Sequence, residues 1–151
     1  MNFEYKLTGA GWALATLEMG TQKIEMTVSY LHDSLANLTE VLLILMQAPS
    51  SGSVVFMEEP GEHEMILTRT NDQLEIEIKW FDDWASWDMY PKDQFKSVLK
   101  TKENFWEAYT IFKKAIESVL NEHGLDGYKD KWGEHDFPEM ELLELKKRAN
   151  T

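Results

Sequence analysis

The sequence contains no cysteine and few residues that break regular structure. The lack of cysteine excludes disulfide bonds, thiolate nucleophiles, iron–sulfur clusters and cysteine-bound zinc. Only 8 glycines and 4 prolines occur among the 151 residues, 43% of which are hydrophobic. Such a composition is too apolar for a disordered chain, and the length suits one domain with a buried core. We therefore expect a single domain over residues 1–151.

Basic residues are scarce as well. Fifteen Lys and Arg stand against 27 Asp and Glu, which gives a net charge of -12 at pH 7. Nucleic acids and anionic membranes bind through clustered cations, so we expect neither as a partner. The longest aliphatic run, at residues 41–46, is far shorter than the ~20 residues that cross a bilayer. The first residues lack the basic start and apolar stretch of a signal peptide. These absences favour a cytoplasmic protein.

Several catalytic motifs are missing from the chain. It contains no glycine-rich dinucleotide loop, Walker loop, His-Glu-x-x-His or Gly-x-Ser-x-Gly sequence. We therefore assign no catalytic residue, no metal ligand and no cofactor. These absences favour a protein that is not an enzyme, although they do not exclude one.

The first half of the chain alternates apolar and polar residues. Residues 3–8 have the period of a half-buried strand, and two further strands follow, joined by a turn at residues 20–21. Leucines at positions 35, 38, 42 and 45 then form one stripe of a helix that begins at Asp33 or Ser34. The pattern predicts three strands followed by an amphipathic helix.

Three more strands follow, joined by two tight turns. We place the first turn at Pro60-Gly61 and the second at Asn71-Asp72. Both turns bring the same apolar residues to one face, whereas a slip by one residue would send all of them to the other face. The facing residues predicted from these turns are Phe56 and Met65, Glu58 and His63, Met65 and Ile78, and His63 and Trp80.

The remaining sequence predicts one more strand and several helices. The strand is expected at residues 94–100, a long helix at residues 102–122, a short element at residues 128–132, and a last helix that begins at Pro138. The predicted fold class is α+β, with an antiparallel sheet of six to seven strands covered by helices in the order βββα-βββ(β)-α-α.

The predicted strand register brings Glu58, His63 and Trp80 side by side at one end of the apolar face. A carboxylate next to a histidine can orient it as a base or raise its pKa. It can also form a metal site with a third ligand from His32 or Asp33. The more common arrangement is a structural histidine that is hydrogen-bonded to the carboxylate and stacked on the tryptophan.

A second candidate site is the segment that follows, in which aromatic and acidic residues are interspersed. Trp and Tyr supply much of the energy at protein interfaces, and carboxylates steer basic partners. The alternative is that most of these rings cover one end of the core. The candidate binding residues are Glu58, His63, Trp80, Asp82, Asp83, Trp84, Trp87 and Tyr90.

Three short segments resemble a pattern found in small, single-domain, uncharacterised bacterial proteins. They are Gly-Trp-Ala at residues 11–13, Ser-Tyr-Leu-His-Asp-Ser-Leu at residues 29–35 and Glu-Glu-Pro-Gly-Glu at residues 58–62. The resemblance implies a bacterial, cytoplasmic source. It implies no activity and assigns no functional residue.

These observations support three hypotheses about function. The first is a non-enzymatic acidic protein-binding module, of immunity or regulatory type, that docks a basic partner protein through residues 53–93. That segment holds 11 acidic and 3 basic residues, and Glu75 and Glu77 mark the outer side of its sheet. The alternative is a small metal-dependent enzyme or ligand-binding protein that uses Glu58 and His63. The third is a homo-oligomer, formed through residues 84–90 or through a sheet edge.

Overall fold

A computed structural model describes residues 1–133 and 135–149 of the chain. The first strands are β1 (Asn2–Gly9), β2 (Trp12–Met19) and β3 (Gln22–Ser29), and helix α1 (Ser34–Gln47) follows. The next strands are β4 (Ser51–Met57), β5 (Glu62–Thr70), β6 (Gln73–Phe81) and β7 (Lys96–Asn104), with a 3-10 helix (Ala85–Trp87) between the last two. Helices α2 (Phe105–Trp132) and α3 (Glu139–Ala149) complete the fold. The mixed α+β class is confirmed, while residues 134 and 150–151 of the predicted domain lie outside the described residues.

The strands form two antiparallel sheets, so the prediction of one sheet is wrong. One sheet has the order β1-β2-β3 and the other the order β4-β5-β6-β7. The chain leaves β3 for α1 and returns as β4, which lies beside β3 without joining its hydrogen-bonded ladder. Buried residues of both sheets and all three helices belong to one hydrophobic cluster. The hydrophobic core therefore joins the two sheets, although their strands are not hydrogen-bonded to each other.

Two of the predicted hairpin registers are confirmed. In the first sheet, Ala13 of β2 pairs with Val28 of β3, as a turn at residues 20–21 requires. In the second sheet, Met65 pairs with Ile78 and His63 with Trp80.

The predicted register of β4 against β5 is wrong by two residues. Residues 58–61 form a four-residue connection, in which the Glu58 N–H donates to the Gly61 carbonyl oxygen at 2.9 Å. Phe56 therefore lies opposite His63, and Val54 opposite Met65. Because a shift of two residues keeps every side chain on its face, the expected buried row survives. The core side chains of this face are fully buried, namely Val54, Phe56, Met65, Leu67, Leu74, Ile76 and Ile78.

The helices cover the core with their apolar stripes. The predicted leucine stripe of α1 is fully buried, and α1 packs against β4 while α2 packs against β1. Helix α2 begins later than predicted, at Phe105, where the Asn104 side chain accepts from the Glu107 N–H at 3.0 Å. At Gly124 a φ of 69° interrupts the helical backbone, so α2 consists of two helical segments that meet at a kink. This agrees with the predicted end of the long helix near residue 122 and with the short element predicted at residues 128–132. No helix in the described part of the chain is both long enough and apolar enough to cross a membrane.

Candidate functional site

The candidate site lies at the end of the four-stranded sheet where β4, β5 and β6 meet the loop at residues 82–95. Gly61 lies at this end of the sheet, directly before β5. Its φ of +90° would be strained for any other residue. The Trp80 ring lies directly over it, and an added Cβ would collide with that ring and with the Phe81 carbonyl oxygen. Gly61 therefore fixes how closely the indole approaches the sheet.

Trp80 forms one wall of a surface depression of about 420 Å³. Its other main lining residues are Asp82, Tyr90, Asp93 and Phe95, and we call these five residues the acidic–aromatic depression. The Trp80 indole N–H donates to Asp82 Oδ1 at 2.8 Å, which fixes the carboxylate beside the ring. The two aspartates are exposed, and Phe95 keeps 41% of its surface in solvent. Three of the predicted residues thus come together, with Asp93 and Phe95 as additional members.

Lysines of the sheet border the acidic–aromatic depression. The Lys79 ammonium lies 4.1 Å from the centre of the Phe95 ring, within the range of a cation–π contact. Lys96 also lines the depression. The rings and carboxylates therefore already accommodate cationic side chains from the same chain.

A buried carboxylate anchors the loop to the sheet. Glu62 is only 1% exposed, and its two oxygens accept from the Ser86 N–H at 3.2 Å and the Ser86 hydroxyl at 2.9 Å. The Ser86 Oγ also lies 3.1 Å from His32 Nε2. Burial raises the pKa of Glu62, and the two hydrogen bonds from Ser86 act in the opposite direction. Since Ser86 gives its proton to Glu62, this arrangement is a structural clamp in which His32 donates to the hydroxyl.

The rest of the predicted loop residues lie around this clamp. The Trp84 indole donates to the Glu58 carbonyl oxygen at 2.8 Å, and the Asp83 carboxylate accepts from the Trp84 N–H. Trp87 is 44% exposed and stacks on His32 with ring centres 5.8 Å apart. Asp83 and Trp84 therefore shape the loop, whereas Trp87 presents a ring to solvent.

His63 lies on the core side of the same sheet end, where its partner on β4 is Phe56 and not the predicted Glu58. Its ring packs against Trp80 with centres 4.7 Å apart, so the expected ring contact is confirmed. The expected carboxylate is not opposite, since that place belongs to Phe56. Burial lowers the pKa of His63 to about 4, which keeps the ring neutral near pH 7.

The two residues considered as a third metal ligand have other contacts. His32 bonds to Ser86, and Asp33 lies 3.7 Å from His135. Across residues 1–133 and 135–149, no three His, Asp or Glu side chains come together in an arrangement that could hold a metal ion.

A separate polar cluster lies where the start of α1 meets β1 and the last turns of α2. The hydroxyls of Tyr5 and Tyr128, the Trp132 indole N–H and Asp33 Oδ1 are buried without a hydrogen-bond partner among the described residues. Burial raises the pKa of Asp33, and the charge of nearby His135 opposes that rise. The Trp132 indole also lowers the pKa of Asp33 by favouring its charged form. The indole N–H does not, however, reach Asp33 with the geometry of a hydrogen bond. The sequence suggested a helix cap at Asp33, but the side chain makes no capping bond.

The outer face of the four-stranded sheet is electrically balanced. Strand β7 places Lys102 opposite Glu75 and Lys100 opposite Glu77, and Lys79 faces Glu64. The acidic character expected from residues 53–93 is therefore offset on this face by lysines, two of which come from a later strand.

No protein-family model, curated protein or solved structure matches this chain.

Proposed function

We propose that the protein is a non-enzymatic binding module that docks a basic partner protein through the acidic–aromatic depression. The observation that carries the proposal is the convergence of three rings, Trp80, Tyr90 and Phe95, with the carboxylates of Asp82 and Asp93. Aromatic faces attract ammonium and guanidinium groups, and adjacent carboxylates add a direct charge interaction. We therefore propose a lysine or arginine side chain of the partner as the group that enters.

The anchoring of the loop supports this role. Because Glu62 holds Ser86 from a buried position, the loop is tied to the sheet before a partner arrives. A preorganised site loses less conformational entropy on binding than a mobile one. The exposed side chains of Trp87 and Met89 belong to the same loop and offer apolar area to a partner.

The net charge of the protein strengthens the encounter with a basic partner. A charge of -12 attracts cations over about a Debye length, which is ~8 Å at physiological salt. We therefore expect association that is fast and sensitive to salt.

The test uses a synthetic Arg-Ser repeat peptide, with binding followed by calorimetry and tryptophan fluorescence. Asp82→Asn/Asp93→Asn is expected to weaken binding about tenfold, because two ion pairs are lost. Phe95→Ala is expected to weaken it about three-fold, because the peptide cation must replace Lys79 over this ring or use its other face, and the variant removes the ring.

The matched control is Glu40→Gln/Asp126→Asn, which removes the same charge from exposed helical positions. This control separates a local site from attraction to the whole acidic protein. Equal weakening by both double variants contradicts the proposal, and so does a peptide that fails to bind.

A further inference from the structure

Strand β1 forms an outer edge of the three-stranded sheet. A groove of about 260 Å³ runs along this edge, between residues 2–6 of the strand and α2. The helix contributes Ile111, Lys114, Ala115 and Ser118 to the groove. An edge strand presents backbone N–H and C=O groups that can pair with another strand.

The other sheet edges differ from β1. Strands β3 and β4 lie beside each other, so these edges shield one another. Strand β7 carries Lys96, Lys100 and Lys102, all exposed, and lysines on an edge discourage pairing with a second copy. Strand β1 instead carries one exposed charge of each sign, Glu4 and Lys6.

We propose that two copies of this chain associate by antiparallel pairing of their β1 strands, with Tyr5 at the twofold axis. In this register Glu4 faces the partner's Lys6, and the reciprocal pair has the same geometry. Directly opposed residues of antiparallel strands share a face. The alternating burial of β1, in which Phe3 and Tyr5 are buried and Glu4 and Lys6 are exposed, is therefore preserved. The result is a continuous six-stranded sheet with an isologous interface.

One contact of the single chain and its net charge oppose this pairing only weakly. The Lys6 ammonium lies 3.6 Å from Glu122, but both side chains are about half exposed, so the ion pair is easily exchanged. The net charge of -12 makes two copies repel each other. Physiological salt screens that repulsion beyond ~8 Å, whereas the facing Glu4 and Lys6 pairs act at contact distance.

The test measures the dimer dissociation constant by analytical ultracentrifugation at physiological salt. Glu4→Lys and Lys6→Glu each place like charges opposite one another twice, so each is expected to weaken dimerisation at least about tenfold. The double variant Glu4→Lys/Lys6→Glu restores opposite charges and is expected to recover wild-type association. Circular dichroism melts check that each variant is folded.

Glu25→Lys on β3 serves as the matched control, because it makes the same change of charge as Glu4→Lys away from β1. It is expected to leave dimerisation unchanged. A wild-type protein that stays monomeric at every concentration overturns the proposal. A dimer that tolerates both single reversals, or is not recovered by the double variant, also overturns it.

Discussion

The two ends of the four-stranded sheet contain the same kinds of side chain but use them differently. At the end where β5 turns into β6, the Arg69 guanidinium lies 4.4 Å from the Phe105 ring centre and 5.1 Å from that of Trp106. It donates to the Asn71 carbonyl oxygen at 2.7 Å and to the last turn of α1 at 2.6 Å. The Trp106 indole in turn donates to Asp72 at 3.3 Å. A single arginine thus connects two helices and a hairpin turn.

At the opposite end, rings and carboxylates of the same types are exposed to a similar degree, since Phe95 and Trp106 are both 41% exposed and Asp72 and Asp82 both face solvent. Trp80 donates to Asp82 much as Trp106 donates to Asp72, and Phe95 takes a lysine ammonium over its ring. The anchoring charge here is the buried carboxylate of Glu62.

Both ends hold a cation from the same chain, and the difference lies in the contacts of that cation. Arg69 donates to three backbone carbonyl oxygens, whereas the Lys79 ammonium lies over the Phe95 ring. At the Arg69 end, the guanidinium already contacts the nearby rings and carbonyl oxygens, and these contacts stabilise the fold. The acidic–aromatic depression keeps its aspartates exposed. The first end therefore serves folding, and we expect the second to be available for binding.

The largest effect is expected at the Arg69 end. Arg69→Met should lower the free energy of unfolding by roughly 3 kcal/mol, because charged hydrogen bonds and two cation–π contacts are lost. Urea denaturation measures this loss. Arg69→Lys keeps the charge without the planar group and should recover only part of it, so full recovery would show that charge alone matters.

A somewhat smaller effect is expected from His63, and only in acid. The unfolded chain protonates this imidazole near pH 6.5, whereas the folded protein does so near 4. The unfolded state therefore binds the proton first, and the folded protein loses stability as the pH falls from 6.5 to 4. The difference between these pKa values corresponds to about 3 kcal/mol at most, and because the ring keeps some contact with solvent we expect a loss of about 2 kcal/mol. His63→Leu should flatten that part of the pH profile in thermal melts, and an unchanged profile would contradict the shift.

The clamp between Glu62 and Ser86 should have a moderate effect. Ser86→Ala removes one hydrogen bond to a buried carboxylate, which should cost about 1–2 kcal/mol. It should also speed amide hydrogen exchange in the loop at residues 82–95. Thr110→Ala provides a comparison, because its hydroxyl bonds only within α2 at an exposed position. Equal costs for both would argue against the clamp.

The smallest effect on stability is expected at the exposed ring of Trp87. Trp87→Ala should change the free energy of unfolding by less than about 1 kcal/mol, because the side chain is 44% exposed. Binding of the Arg-Ser peptide should still weaken if this ring belongs to the docking surface. A large loss of stability with unchanged binding would make Trp87 a core residue.

The fold was predictable where the alternation of residues is unambiguous. Two hairpin registers follow directly from tight turns, as Ala13 with Val28 and Met65 with Ile78 illustrate. The pairing of Glu58 with His63 failed because an alternation with period two is unchanged by a shift of two residues. Only the conformation of residues 58–61 distinguishes the registers. Strand β7 extends to Asn104 through a polar stretch that lacks apolar alternation.

The candidate site was predictable in composition but not in arrangement. The interspersed rings and acids indicated Trp80, Asp82 and Tyr90, yet they did not show which rings stay exposed. Phe95 was missed because the next strand was expected to begin at residue 94, and Asp93, at the end of the predicted loop, was not among the candidate residues. The tie between Glu62 and Ser86 joins residues 24 positions apart, and no local pattern signals a contact of that kind.

Gly61 gives the acidic–aromatic depression a determinant that lies outside its lining. Since any side chain at this position would push the Trp80 indole away from the sheet, one methyl group there would displace the ring and, with it, the carboxylate that the ring holds. A screen limited to the visible contact surface would overlook this position. The position of the Trp80 ring in the depression thus depends partly on Gly61, because the missing side chain leaves room for the indole.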